Sequence, residues 1–130
     1  MATIDALVDD FLMNERPDSI VLDPATVLSK AVAATKFYAG YANLETNDDA
    51  DPLLPLPAIT QNTDISYSEW ALIKPLFMLY VELETSTQLE ASRGLGVDVF
   101  GRSSSEVQQE INQYQMELPQ KAFMQVIITV

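Results

Sequence analysis

The fold is decided by residues 66–93, which read SYSEWALIKPLFMLYVELETSTQLEASR. Ser66 and Glu69 have the Ser-x-x-Glu spacing of a capping box, in which each side chain bonds the backbone N–H of the other residue. Apolar residues then recur along one helical face: Trp70, Ile73, Phe77, Tyr80, Val81 and Leu89. Because Pro75 lies about two turns in, a bend is predicted there. We expect a helix over residues 67–93, about 40 Å long at about 1.5 Å per residue.

Two helices are predicted before this stretch. Thr3 is a candidate N-cap for a short helix whose apolar face comprises Ile4, Leu7, Val8, Phe11 and Leu12. Asp23 followed by Pro24 is a start signal for a second helix, predicted over residues 24–42. This helix is apolar on nearly every side, as buried helices are. It packs either in the core of its own subunit or against a neighbouring subunit.

A fourth helix is predicted after residues 66–93. Ser103 and Glu106 have the spacing of a second capping box. Four apolar residues then form a helical stripe: Val107, Ile111, Tyr114 and Leu118. Pro119 is expected to end or kink this helix. The fold class is therefore mainly α, a small bundle of about four helices, and the length of 130 residues favours a single domain over residues 1–130.

Residues 43–65 are predicted to be a long, acidic, proline-containing loop or arm. Three aspartates precede or accompany three prolines: Asp48, Asp49, Asp51, Pro52, Pro55 and Pro57. Prolines so close together favour extended backbone. Leu53, Leu54 and Leu56 lie between them and would be costly to leave in water. We expect these leucines to pack on their own core or on a neighbour, and we assign them to a candidate partner interface.

Residues 125–130, QVIITV, are β-branched and apolar, which predicts a C-terminal β-strand or extended tail. Such a strand has no hairpin partner in the adjacent sequence. It would have to pair with a distant segment or with another chain. The side chains assigned to the partner interface here are Val126, Ile127, Ile128 and Val130.

The charge balance and the missing residue types exclude several functions. Nineteen acidic and seven basic residues give a formal net charge of -12, which disfavours binding to nucleic acid phosphates. The acidic surface serves solubility, lets DNA slide past without sticking, or mimics DNA. The chain has no cysteine and no histidine, so disulfides, thiol catalysis, Cys/His zinc sites and imidazole bases are excluded. We find no catalytic or phosphate-binding motif and expect no enzyme activity, cofactor or metal.

Two of the seven basic residues, Arg93 and Arg102, bracket a segment with three glycines. On one interpretation Arg93 caps the end of the preceding helix and Arg102 is solvated. On the other, both form salt bridges with carboxylates of an acidic neighbouring subunit. An acidic protein that self-associates gains most from placing its few cations at the contacts. Arg93, Arg102 and the intervening Phe100 therefore complete the candidate partner interface.

The stretch from residues 65–70, ISYSEW, through residues 90–107, EASRGLGVDVFGRSSSEV, resembles a small virion protein of tailed bacteriophages. The clear part of the resemblance covers about half the chain, residues 65–130. The helical build is similar to head-to-tail connector proteins, also called adaptor or head-completion proteins, and residues 35–41, TKFYAGY, fit the same pattern. The proline-containing arm has no counterpart that we can match to that family.

The resemblance implies a structural virion protein without catalytic activity. It implies a homo-oligomeric ring of twelve subunits at the head-tail junction, with a helical bundle in each subunit. The portal protein and a tail or neck protein would be its partners, and DNA would pass through an acidic channel without specific binding or any membrane contact. The protein would be made in the bacterial host cytoplasm and reside in the virion.

A second class of function fits the charge as well. A DNA-mimicking inhibitor of a DNA-binding enzyme would carry carboxylates at phosphate-like spacing and act as a monomer or dimer. In this sequence the acidic residues are scattered rather than arranged along one helical face.

Overall fold

The computed structural model describes residues 1–15, 22–42, 44–47, 53–92 and 104–128, the side chains of 15, 92 and 122–128 excepted. Within these ranges the protein is mainly helical, with four α-helices, which confirms the predicted fold class. The helices are α1 (Ile4–Asp10), α2 (Pro24–Ala39), α3 (Tyr67–Ser92) and α4 (Ser104–Ile128). A π-helical turn, Phe11–Glu15, continues α1, and a 3-10 turn, Glu45–Asn47, follows α2.

The start of the chain is tied to the segment that precedes α3. Strand β1 (Ala2–Thr3) pairs antiparallel with β2 (Asp64–Ile65), with Ala2 opposite Ile65. The Thr3 hydroxyl accepts a hydrogen bond from the Ala6 N–H at 3.1 Å, as the N-cap prediction requires. The two-residue sheet was not predicted, because strands this short have no alternating pattern to read.

Helix α2 begins as predicted but is buried on one face only. The Asp23 carboxylate accepts a hydrogen bond from the Thr26 N–H at 3.1 Å, and Pro24 occupies the first turn. The buried face comprises Val27, Ala31, Ala34, Thr35 and Tyr38. The opposite face is exposed or half-buried, so the core of this subunit does not cover every side of the helix. The helix ends at Ala39, before the expected residue 42.

Helix α3 lies at the centre of the bundle and packs against both α2 and α4. Phe77 is fully buried, and its ring lies 5.0 Å from that of Phe11 and 5.6 Å from that of Trp70. The predicted stripe of α4 also faces the core, with Val107, Ile111 and Leu118 buried and Tyr114 half-buried. The Tyr114 hydroxyl donates a hydrogen bond to the Leu72 carbonyl of α3.

The predicted C-terminal strand is wrong for residues 125–128. Helix α4 continues through Pro119 to Ile128, so Val126, Ile127 and Ile128 are helical, and Pro119 does not end the helix. Each residue added to an existing helix forms one more hydrogen bond, and this outweighs the modest strand preference of β-branched side chains. Val130 lies outside the described residues.

Candidate interaction surface

The most exposed apolar segment comprises residues 53–57, here called the apolar arm. The side chains of Leu53, Leu54 and Leu56 are 90%, 64% and 56% exposed. Pro55 and Pro57 lie between and after them and are also exposed. The three leucines therefore do not pack on their own core, one of the two alternatives expected from the sequence.

The apolar arm leads into residues 59–63, here called its base, which contacts within the fold hold in place. Ile59 is half-buried against the hydrophobic core. The Thr63 N–H donates to the Thr60 carbonyl at 3.1 Å, and the Thr60 N–H donates to the Thr63 hydroxyl at 3.0 Å. The Gln61 carbonyl accepts a hydrogen bond from the Asp5 N–H of α1 at 2.9 Å. The exposed leucines thus project from backbone that the rest of the fold holds in place.

The carboxylate of Glu69 joins α3 to the 3-10 turn that follows α2. Its Oε1 accepts hydrogen bonds from the Ser66 N–H at 3.1 Å and the Ser66 hydroxyl at 3.0 Å. Its Oε2 accepts from the Glu45 N–H at 3.1 Å. The Glu69 N–H donates to the Ser66 hydroxyl at 3.2 Å, which completes the predicted capping box. Glu69 is only 2% exposed, so this carboxylate is structural rather than available to a ligand.

A shallow groove of about 480 Å³ runs along the open face of α2. It is lined by the half-buried Leu28 and Val32 and by six exposed residues: Ala25, Ser29, Ala33, Lys36, Thr60 and Gln61. Thr60 and Gln61 belong to the base of the apolar arm, so groove and arm are adjacent. Lys36 is the charged residue of the lining. Within the described parts of the chain, no carboxylate forms an ion pair with its ammonium group.

Several carboxylates already have partners inside the subunit. Glu84 lies 3.6 Å from the Lys30 ammonium, and Glu117 lies 3.8 Å from that of Lys121. The Glu90 carboxylate accepts hydrogen bonds from the Ser104 N–H and hydroxyl, both at 2.7 Å, which fixes the start of α4 against α3. The hydrogen bonds from Thr26 lower the pKa of the Asp23 carboxyl.

Among the described residues, three tyrosines also have shifted pKa values. Burial, together with the charges of Glu69 and Glu45, raises the pKa of Tyr38 to about 12. Burial also raises the pKa of Tyr80 and of Tyr114. Each is held protonated at neutral pH, so none is poised as a base. Across the residues that the structure describes, no three carboxylates come together as a metal site would require.

The structure describes only part of the interface predicted from the sequence. Leu53, Leu54 and Leu56 lie together on the apolar arm. The last turns of α4 hold Val126, Ile127 and Ile128, whereas Arg93, Phe100, Arg102 and Val130 lie outside the described residues. The groove on α2 was not predicted, because the sequence indicated only that this helix is apolar on nearly every side.

Comparison of the chain with protein-family models, curated protein sequences and solved structures finds no match. Of the helices in the described ranges, none is long and apolar enough to cross a membrane.

Proposed function

We propose that this protein is a structural subunit of an oligomeric ring at the head-tail junction of a tailed bacteriophage, where it links the portal to the tail around an acidic DNA channel. The observation that carries the proposal is the exposure of Leu53, Leu54 and Leu56 on an otherwise acidic helical bundle. The proposal also uses the resemblance of residues 65–70 and 90–107 to a phage virion protein.

Exposed apolar side chains support a role in assembly. Single exposed leucines are ordinary on protein surfaces, but contiguous apolar patches mark interaction sites. Three leucines and two prolines within five residues form such a patch. Burying them against a partner gains about 25 cal/mol for each Å² of apolar surface removed from water. A subunit of a ring has such partners on both sides.

The net charge of -12 supports the passage of DNA rather than its capture. A protein that holds DNA needs a positive stripe to replace the counterions of the phosphates. A ring of acidic subunits would instead repel DNA from every side of its channel. DNA would then move through without stopping at preferred positions.

The positions of the carboxylates favour the ring over the DNA mimic. Glu69 is buried, Glu84 and Glu117 are in ion pairs, and Glu90 binds the start of α4. A mimic needs carboxylates in an exposed, regular array. Glu69, Glu84 and Glu90 instead link separate elements of the fold, and Glu117 pairs within α4.

The proposal requires that a tailed-phage genome encodes the chain, and it is tested in that phage. A stop codon early in the gene should yield DNA-filled heads and separate tails, counted by negative-stain electron microscopy. Wild-type protein supplied from a plasmid should restore complete virions. Absence of the chain from purified virions by mass spectrometry, or normal virions without it, would contradict the proposal.

A matched pair of variants connects this test to the apolar arm. Protein with Leu53→Ser, Leu54→Ser and Leu56→Ser should fold but fail to restore virions. Met13→Ser, which changes a side chain that is 83% exposed elsewhere on the surface, should restore them fully. Equal restoration by both would remove the arm from the proposed interface.

A further inference from the structure

We propose that the apolar arm of one copy, residues 53–57, docks into the α2 groove of a second copy, so that the same contact repeats from each subunit to the next around the assembly. This inference rests on the proposed function, because it names the contact that would join neighbouring subunits. The arm and the groove are different surfaces of one chain, so their contact is heterologous. Repetition of such a contact produces a closed ring or an open filament.

The first argument is electrostatic. Two copies that each carry a net charge of -12 repel, and the repulsion is smallest when the surfaces that meet carry no carboxylates. Residues 53–63, LLPLPAITQNT, contain no charged side chain. Among the described residues that line the groove there is no carboxylate either, and the charged one is the exposed Lys36. A cation at this position attracts the acidic body of an incoming copy.

The second argument is the match in length and shape. The groove extends along α2 from Ala25 to Lys36, which is about 16 Å at the helical rise. Leu53 and Leu54 lie in a turn and a bend of the free subunit, so docking would extend this part of the arm. Five residues of polyproline II backbone, which Pro55 and Pro57 favour, span about 12 Å. Side chains three residues apart lie on one face of such a helix. Leu53 and Leu56 would therefore face the groove together, above Leu28 and Val32.

The third argument is that the arm of the same copy does not occupy the groove. The groove is lined from this segment by Thr60 and Gln61 but by none of residues 53–57. The leucines of the arm are exposed and Leu28 and Val32 of the groove are only half-buried, so neither surface covers the other within one copy. Each copy therefore presents a groove that its own residues 53–57 do not occupy, together with an apolar segment that fits within the length of that groove when extended.

Cysteine cross-linking of the full chain tests the contact, because the natural chain contains no cysteine. Variant Leu56→Cys, carrying a mass tag, is mixed with untagged Ala33→Cys under mild oxidation. Ala33 is an exposed wall residue of the groove. The control mixture pairs Ala33→Cys with Met116→Cys, whose native side chain is 78% exposed on α4. Docking should make the mixed disulfide of the first pair form about tenfold faster than that of the control.

Two further outcomes decide the inference. Adding Lys36→Glu to the Ala33→Cys partner should slow the first pair towards the control rate, because a carboxylate then faces an acidic copy. Equal rates for the two original pairs would overturn the proposed docking. A Leu56→Cys, Ala33→Cys double variant that closes an internal disulfide in dilute solution, with no dimer, would also overturn it in favour of docking within one subunit.

The inference and the proposed function fail in different ways. Heads without tails in the stop-codon phage, combined with equal cross-linking rates, would retain the function and reject the arm-groove contact. Preferential cross-linking of a chain that is absent from virions would retain the contact and reject the function.

Discussion

The apolar arm and the start of α3 are close in sequence but opposite in burial. At residues 66–70 a carboxylate is buried, and both of its oxygens are hydrogen-bonded. At residues 53–57 three leucines are exposed to solvent. A polar group inside the fold and apolar groups outside it reverse the usual arrangement. The buried carboxylate has its hydrogen-bond partners within the chain, whereas the side chains of the leucines face solvent and are the surface that we propose another copy covers.

The largest loss of stability is expected from a substitution in the core on which α3 packs. Phe77→Ala deletes a fully buried ring that contacts Phe11 and Trp70, and we expect it to lower the free energy of unfolding by about 3–5 kcal/mol. Urea denaturation followed by circular dichroism measures the change. The matched control, Leu54→Ala on the arm, should change it by less than about 0.5 kcal/mol. Similar losses at both positions would mean that the arm is part of the core.

The next largest effect is expected at Glu69. Glu69→Ala leaves the N–H groups of Ser66 and Glu45 without their acceptor, at a cost of about 2–4 kcal/mol. Glu69→Gln keeps one carbonyl oxygen and should lose less. The same urea measurement compares the two variants. If Glu69→Ala is as stable as the wild type, the capping box does not hold this end of α3.

Alkaline pH should weaken the packing of α2 through Tyr38. Its pKa is raised from 10.0 to about 12, so the folded protein retains the phenolic proton longer than the unfolded chain does. The contribution is fully present below pH 10 and is lost as the pH rises towards 12, by an amount of the order of 2 kcal/mol.

Tyr38→Phe is the control for this loss. Denaturation at a series of pH values should give a shallower decline for the variant, with the remainder coming from Tyr80 and Tyr114. Identical declines would show that Tyr38 ionises as readily in the folded protein as in the unfolded chain.

The smallest effect on stability is expected at the arm itself. The triple variant Leu53→Ser, Leu54→Ser and Leu56→Ser removes side chains that are mainly in contact with water, so the free energy of unfolding should change by less than about 0.5 kcal/mol per residue. Thermal denaturation in dilute solution provides the measurement. A large loss would indicate that the leucines stabilise the subunit rather than an assembly.

The local signals of the sequence predict helix starts well. Asp23 and Pro24, and the pair Ser66 and Glu69, act through hydrogen bonds within a few residues, and the structure contains those bonds. The pairing of β1 with β2 could not be predicted, because it depends on segments about sixty residues apart meeting in the fold. The last turns of α4 were mispredicted for a related reason. The helix that precedes Val126, Ile127 and Ile128 continues through them and overrides their preference for a strand.

The candidate site was only partly readable from the sequence. The cost of exposing Leu53, Leu54 and Leu56 drew attention to the arm, but composition does not say whether their own core covers them. The groove depends on which side of α2 the other helices leave open. That choice follows from the packing of α1 and α3 on Val27, Ala31 and Ala34, not from a pattern within α2.

The central claim is that the exposed leucines of the arm join copies of this chain. Sedimentation velocity across a concentration series tests it most directly, with wild type, the triple serine variant and Met13→Ser measured side by side. We expect wild type and Met13→Ser to shift to larger species as concentration rises, while the triple variant stays monomeric. The same distribution for all three proteins would contradict the account.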